Sequence, residues 1–511
     1  DVTGSSFNTN ALNGVLVQTS ESSSFGDPTD GLPPGRRSIF DGNTYNQNGV
    51  DGVQLVATED SRVLVEITSN RTVGSSTAHS GANTNGDTTI SNNVRDGVRI
   101  DTTGGRSDIL ITSGTGQTTI DGNGTTAGGN GIRWNASGNS DGLVRVTRTI
   151  ITNNIAGISE DTNANGILDP GEDLNGNNDI DVADGDGIQA NFSGNATAVL
   201  IVGNIGEGNV IQNNEDDGVA VNATGNARPI ITITSNTIGG TSNGLAAGNR
   251  GDGVSLNVVG GTAVGIAPAA VDFTLPGLSP NQGVNASGAV PQFTMSNNLV
   301  SNNNHRGLNM LFNGGSGTRD RENGNSLFDP IVLNVLNNTI ESNGDEGVVL
   351  RADADMNQSR FVYLANFPDP PVIGLQNLDY TPNRPEFLAL NIGSVNGNTA
   401  YQPPYLNLRT VQNSYLTMTG NTVRNNGTNQ NVGQGIRIDV GTGAYVAADL
   451  QNNVFGGNLD EDVVTSSFLS AGNTFTSVDT NGDLTFDYVY LDDTAQLDMR
   501  FQNNQGNQIA P

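Results

Sequence analysis

A short frame recurs along this chain and restricts its fold more than any other feature. In Asn338-Thr339-Ile340-Glu341-Ser342-Asn343 two asparagines flank an apolar residue, and Gly347-Val348 follows four residues after the second Asn. The same offsets hold at Asn43…Asn48…Gly52-Val53, Asn209…Asn214…Gly218-Val219 and Asn298…Asn303…Gly307-Leu308. Thr88…Ile90…Asn93…Gly97-Val98 and Arg148…Ile150…Asn153…Gly157-Ile158 keep all but the first Asn, and Asn421…Asn426 reaches Gly435-Ile436 after a short insertion. Phe7…Asn10…Gly14-Val15 supplies the second half alone. An offset held this often defines a structural repeat.

Around these corners apolar residues alternate with polar ones, as in Ile231-Thr232-Ile233-Thr234 and Val98-Arg99-Ile100-Asp101. Period two predicts strands with one buried face. Asn and Gly at the corners tolerate left-handed backbone at least cost. Gly-apolar positions at 157, 187, 218 and 253 predict a rung of roughly 30 residues. One rung cannot bury its apolar face alone, so rungs stack, and each corner Asn then bonds to the Asn above and below. The repeat resembles the pectate-lyase-like superfamily. That resemblance spans nearly the whole chain and implies an all-β fold, a right-handed parallel β-helix, as a single domain over 1–511.

Composition narrows the functions. The formal charge of −30 opposes nucleic-acid binding and favours cations or a basic partner. All 22 basic residues are Arg, which removes Lys bases, Schiff bases and Lys crosslinks. There is no Cys to staple the chain, and no stretch nears the roughly 20 apolar residues of a membrane helix. Asp1 does not begin a signal peptide, and a mature exported form is expected.

Within 159–186 the repeat gives way to an acidic insertion. Asp161, Asn163, Asn165, Asp169 and Glu172 fall at the side-chain positions of a twelve-residue EF-hand-type calcium loop. Gly166 makes its turn and Ile167 stands at the carbonyl-donating position. A second loop, Asp173, Asn175, Asn177, Asp181 and Asp184, resembles dockerin-type calcium loops, with Asn178 where Gly is usual. A third candidate, Asp479, Asn481, Asp483 and Asp487, has Leu484 in place of the Gly and Tyr490 in place of the closing acid. The expected cofactor is Ca²⁺ in a structural role; a solvated acidic loop is the alternative.

Two further insertions are expected: 257–292, rich in Pro, Ala and Gly, and 352–415, which concentrates Tyr, Phe and Pro. The second would be a packed lid or an exposed aromatic surface. Neither end of the chain carries a recognisable cap, so either more chain flanks it or copies pair head to tail.

Lyases of the resembled superfamily use Ca²⁺ with an Arg or Lys base. Its hydrolases share Asn-Thr-Asp, an Asp pair, Gly-His-Gly and Arg-Ile-Lys, and none of these stands here in that form. Arg99 and Arg437 lie in matching Gly-apolar-Arg-Ile-Asp contexts, where alternation points them outward to pair with Asp101 and Asp439. Asp217, beside Asp216, precedes a rung Gly exactly as Asp51, Asp96, Asp186 and Asp252 do, which makes it structural rather than catalytic. His305 is expected to be a solvated corner residue. No catalytic residue is assigned. The expectation is an extracellular, calcium-stabilised structural or surface protein (sheath, surface layer, fibre or adhesin) that self-associates or meets cell-surface polysaccharide. The alternative is a polysaccharide lyase, glycoside hydrolase or carbohydrate-binding protein.

Overall fold

The computed structural model describes residues 2–26, 37–70, 86–125, 128–157, 185–225, 227–242, 244–259, 293–313, 331–353, 412–428, 433–441, 444–468, 475–478, 488–491, 495–505 and 509–510. Three strands make one turn of the chain. Thr44–Asn46 leads through an Asn corner into Val53–Thr58, a tight turn leads into Arg62–Thr68, and Thr88–Ser91 begins the next turn. Each strand pairs in parallel with its equivalent one turn on: Tyr45 with Ile90, Leu55 with Ile100, Val65 with Ile109. The described residues thereby form sheets of 11, 12 and 15 strands, here sheets 1, 2 and 3. This is a right-handed parallel β-helix. Among the described residues, no helix is long and apolar enough to cross a membrane.

Alternation decides what faces inward. In Val53–Thr58 the burial pattern switches at every residue, and Val53, Leu55 and Ala57 enter the core. Stacking then places like on like. Ile90, Ile120, Ile151, Ile211 and Ile238 form one column under sheet 1, and Val98, Ile132, Ile188, Val219 and Val254 form another under sheet 2. All belong to one continuous apolar cluster. Burying such side chains contributes about 1.5–3 kcal/mol each, which no single rung achieves alone.

The corners show why asparagine dominates. At the corner between sheets 1 and 2 a left-handed residue precedes a buried Asn: Gln47 before Asn48, Asn92 before Asn93, Asn213 before Asn214, Asn302 before Asn303, Asn425 before Asn426. These amides form an unbroken ladder, buried except at its two ends, through Asn10, Asn48, Asn93, Asn123, Asn154, Asn214, Asn249, Asn303, Asn343, Asn426 and Asn458, each Nδ2 donating to the next Oδ1. Each Oδ1 also accepts the backbone N–H of the Asn one rung earlier, as when Asn48 N–H donates to Asn93 Oδ1 at 3.0 Å. A second ladder, at the corner between sheets 3 and 1, runs from Asn209 through Asn236, Asn298, Asn338, Asn421 and Asn453 to Asn504. Towards the N-terminus, Thr88 and Thr149 occupy its equivalent positions.

The structure corrects the frame at one rung. Ile151, not Ile150, pairs with Ile120, and Asn154, not Asn153, sits in the ladder. Asn153 is the left-handed residue ahead of it, and the Gly that opens the following strand of sheet 2 is Gly187, paired through Ile188 to Ile132, not Gly157. Three ladder asparagines went unnoticed in the sequence: Asn123, Asn249 and Asn458. At the first, extra residues separate the ladder Asn from its Gly; at the second, they separate it from the preceding corner residue Asn236. In the third, Asp462 replaces the Gly before Val463.

Strands also extend into segments expected as insertions. Val254–Val259 and Val348–Asp353 continue sheet 2 past residues 257 and 352, and Gln412–Thr419 resumes sheet 3 before 415. Residues 260–292, 314–330 and 354–411 all depart from one edge, the passage from sheet 2 to sheet 3 on consecutive rungs. At the C-terminal side, Ala495–Gln502 adds to sheet 3 and Asn504 to its ladder. Its other edge pairs antiparallel with Tyr488–Leu491, which pairs antiparallel with Phe475–Val478. That edge therefore carries a hairpin where the sequence showed no cap.

Candidate functional site

The residue before the Gly that leads into each of these strands of sheet 2 forms a third file, and this one is mostly acidic. Asn13, Asp51, Asp96, Asn130, Asp186, Asp217 and Asp252 stack in it. Each side-chain Oδ1 accepts the backbone N–H of the file residue one rung further on, ending at Arg306. The recurring Asp thus joins one rung to the next. Asp51, Asp96 and Asp186 are almost wholly buried. Carboxylates about 4.8 Å apart in low dielectric oppose one another's ionisation. Burial, then the charges of Asp252 and Asp216, pushes the Asp217 carboxyl well above the usual range. Burial also raises Asp252, opposed by the Arg306 guanidinium.

At the root of the 158–184 segment the acids converge. Asp186, Asp216 and Asp217 each present a carboxylate oxygen, and these atoms lie within 4.8 Å of one another. Gly251 leaves the space they occupy: a Cβ there would stand 2.3 Å from Asp217 Oδ1 and 2.6 Å from Asp216 Oδ1. Asp186 Oδ2 accepts from Gln189 Nε2 at 3.2 Å, which fixes that carboxylate. An all-oxygen donor set suits a hard cation such as Ca²⁺. The expected ligands Asp161, Asn163, Asn165, Ile167, Asp169, Glu172, Asp173, Asn175, Asn177, Asp181 and Asp184 lie outside the described residues, as do Asp479, Asn481, Asp483 and Asp487. Of the third loop's neighbourhood, Tyr490 is described, in a strand opposite Thr476.

Further on, the same file turns from acids to alternating charge. Arg306 Nε lies 3.2 Å from Glu346 Oε2, and Arg437 Nη1 lies 3.4 Å from Glu346 Oε1. Arg437 also pairs with Asp439 at 2.9 Å, and Asp439 accepts from Ser466 Oγ. Glu346 is 2 % exposed, so two guanidiniums serve one buried carboxylate. Arg99 pairs with Asp101 at 2.8 Å, the outward pair expected from alternation, and exposed His305 meets Asp345 at 3.1 Å. The Arg306–Glu346–Arg437 bridge was missed in the sequence. Its signal was that Arg306 and Glu346 stand at the position where other rungs carry Asp.

No family model matches this sequence, and no curated protein matches it. Two solved structures are matched at low similarity. The catalytic unit of the thermostable GH87 α-1,3-glucanase from Streptomyces thermodiastaticus is 10% identical, with a TM-score of 0.26 over 96% of this chain and 63% of that one. The Dettilon tailspike protein gp208 is 14% identical, with a TM-score of 0.19 over 86% of this chain and 68% of that one. This chain therefore spans less than two thirds of the glucanase unit.

Proposed function

We propose that this chain is a calcium-stabilised structural protein of the cell surface, a rigid rod for a sheath, surface layer, fibre or adhesin. The observation that carries this reading is the amide ladder from Asn10 to Asn458, which ties each rung to the next without a break. The acids at the edge of sheet 2 are consumed in the same way, bonding backbone of the neighbouring rung. Calcium enters through the loop pattern of 161–172 and the acids at its root, with Asp186, Asp216 and Asp217 able to share a cation. Loops of this type outside cells bind at about 10⁻⁴–10⁻³ M, matched to extracellular calcium.

The test is imaging and small-angle scattering of the purified chain with 2 mM (roughly extracellular) Ca²⁺ and then with chelator. Rods or their assemblies that lose order on chelation support the reading, and filaments extend it to head-to-tail self-association. Particles identical in both conditions remove calcium from it. A carbohydrate-active reading draws on one observation, the three segments that leave a single edge beside the outward face of sheet 2. Depolymerisation of any member of an acidic-polysaccharide panel would put it first.

A further inference from the structure

The acidic file contains a pair that the proposed function leaves unused. Asp51 and Asp96 are stacked on adjacent rungs, each no more than 1% exposed. Asp51 Oδ1 accepts the Asp96 backbone N–H at 3.2 Å, and Asp96 Oδ1 accepts that of Asn130 at 2.8 Å. Their other oxygens, Oδ2 of both, are buried and have no hydrogen-bond partner. A bare carboxylate oxygen inside a protein is costly, and two facing one another are costlier. Arg99, on the strand that follows Asp96, pairs with Asp101 at 2.8 Å. The charges of Arg95 and Arg99, and of Arg133 on Asp96, oppose the effect of burial without cancelling it. Asn13, on the rung before, and Gln54, on the strand that follows Asp51, are neutral: Asn13 accepts the Asp51 N–H and Gln54 donates to Asp101. The rung after presents Asn130, also neutral.

We propose that Asp51 and Asp96 form a proton-dependent latch between their rungs: a proton held on the pair keeps the rungs closed, and its loss loosens them. The proton moves between a carboxyl and bulk water, with no other bond made or broken. Burial, with the Asp96 charge next, lifts the Asp51 carboxyl to about 7, and burial also raises Asp96. A carboxyl raised on folding holds a proton that the unfolded chain releases. Its stabilisation is complete below the unfolded value of about 3.9 and is lost as pH rises through about 7. The latch is therefore closed in mild acid and weakened in mild alkali.

The file supplies its own control, because Asn13 and Asn130 occupy equivalent positions and keep the Oδ1 acceptor. Hydrogen exchange read by mass spectrometry, corrected for the intrinsic effect of pH, compares the parent with Asp51→Asn and Asp96→Asn at pH 5.5 and 8.5. In the parent, protection of peptides spanning 50–56 and 94–100 is expected to fall by up to about tenfold per pH unit as pH rises towards about 7, and to level off above it. In either Asn variant the fall should be smaller than in the parent, because one buried carboxyl remains to titrate. Equal falls in parent and both variants would overturn the latch. So would a fall in the parent that is as large in 421–428, a corner with no stacked acids, a comparison needing no variant.

Discussion

Gly142 lies directly against the indole of Trp134. A Cβ at Gly142 would stand 2.3 Å from Cζ2 of the ring, and Phe192 meets the same ring edge-on with centroids 4.9 Å apart. The rungs make room for the chain's single Trp with small residues: Gly142 opposite it in sheet 3, Ala190 after it in sheet 2. Gly142→Ala should therefore destabilise by about 1–3 kcal/mol through overpacking, and Trp134→Ala by about 3–5 kcal/mol through the cavity. Denaturant melts followed by Trp134 fluorescence test the first, and circular dichroism tests the second. An unchanged Gly142→Ala midpoint would show that the ring shifts freely.

The two residues of each Asn corner should respond oppositely to substitution. Asn214 donates to Asn249 at 2.8 Å and accepts from Asn154 at 2.8 Å, so Asn214→Ala orphans buried groups on both sides at about 1–3 kcal/mol each. Asn213 is exposed and serves its left-handed φ of 55°, so Asn213→Gly should cost under about 0.5 kcal/mol. Asn213→Val should cost about 1–2 kcal/mol from the same backbone angle. Thermal melts of the three variants decide it; equal losses at 213 and 214 would contradict the ladder.

That pair also explains what was legible beforehand. Periodicity and corner spacing gave the β-helix because every rung repeats the same burial demand. They misplaced Asn153 because Asn serves equally as the left-handed residue and as the ladder residue, and adjacent asparagines do not say which is which. The ladder residues Asn123 and Asn249 escaped because extra residues beside them break the offset while leaving the stacking intact. Asp217 was legible as a file member from its recurrence. Its closeness to Asp186 was not, because it depends on a sequence separation set by the rung length.

Calcium should raise the melting temperature of the parent, by about 2.7 kcal/mol of stability at a hundred times the dissociation constant. Asp161→Ala combined with Glu172→Ala should abolish that increment while leaving the chelated melting point near the parent's. Asp217→Asn isolates the root cluster: it removes one acid from a crowded trio while preserving the Oδ1 that accepts the Asp252 N–H at 2.5 Å. It should stabilise the chelated protein and shrink the calcium increment. Differential scanning calorimetry across calcium concentrations reads all three. Melting points independent of calcium in every variant would remove the metal from the structure's stability.

Glu346 offers the sharpest contrast between a buried and an exposed ion pair on one scaffold. Its carboxylate is 2 % exposed between Arg306 and Arg437, whereas Glu341 pairs with a half-exposed Arg424 at 2.7 Å. Glu346→Gln keeps the shape but leaves two guanidiniums facing each other without a charge between them, and should cost about 2 kcal/mol or more. Glu341→Gln should cost under about 1 kcal/mol and fade as salt is added, since screening acts on the exposed pair first. Because Arg306, Glu346 and Arg437 sit on successive rungs, the buried loss should also be non-additive. Arg437→Gln in the Glu346→Gln background removes one of the two repelling charges and should recover part of the stability. Urea melts at low and high salt measure each term. A Glu346→Gln loss that disappears in high salt would mean the bridge behaves as a surface pair, and the file would then join these rungs through its backbone bonds alone.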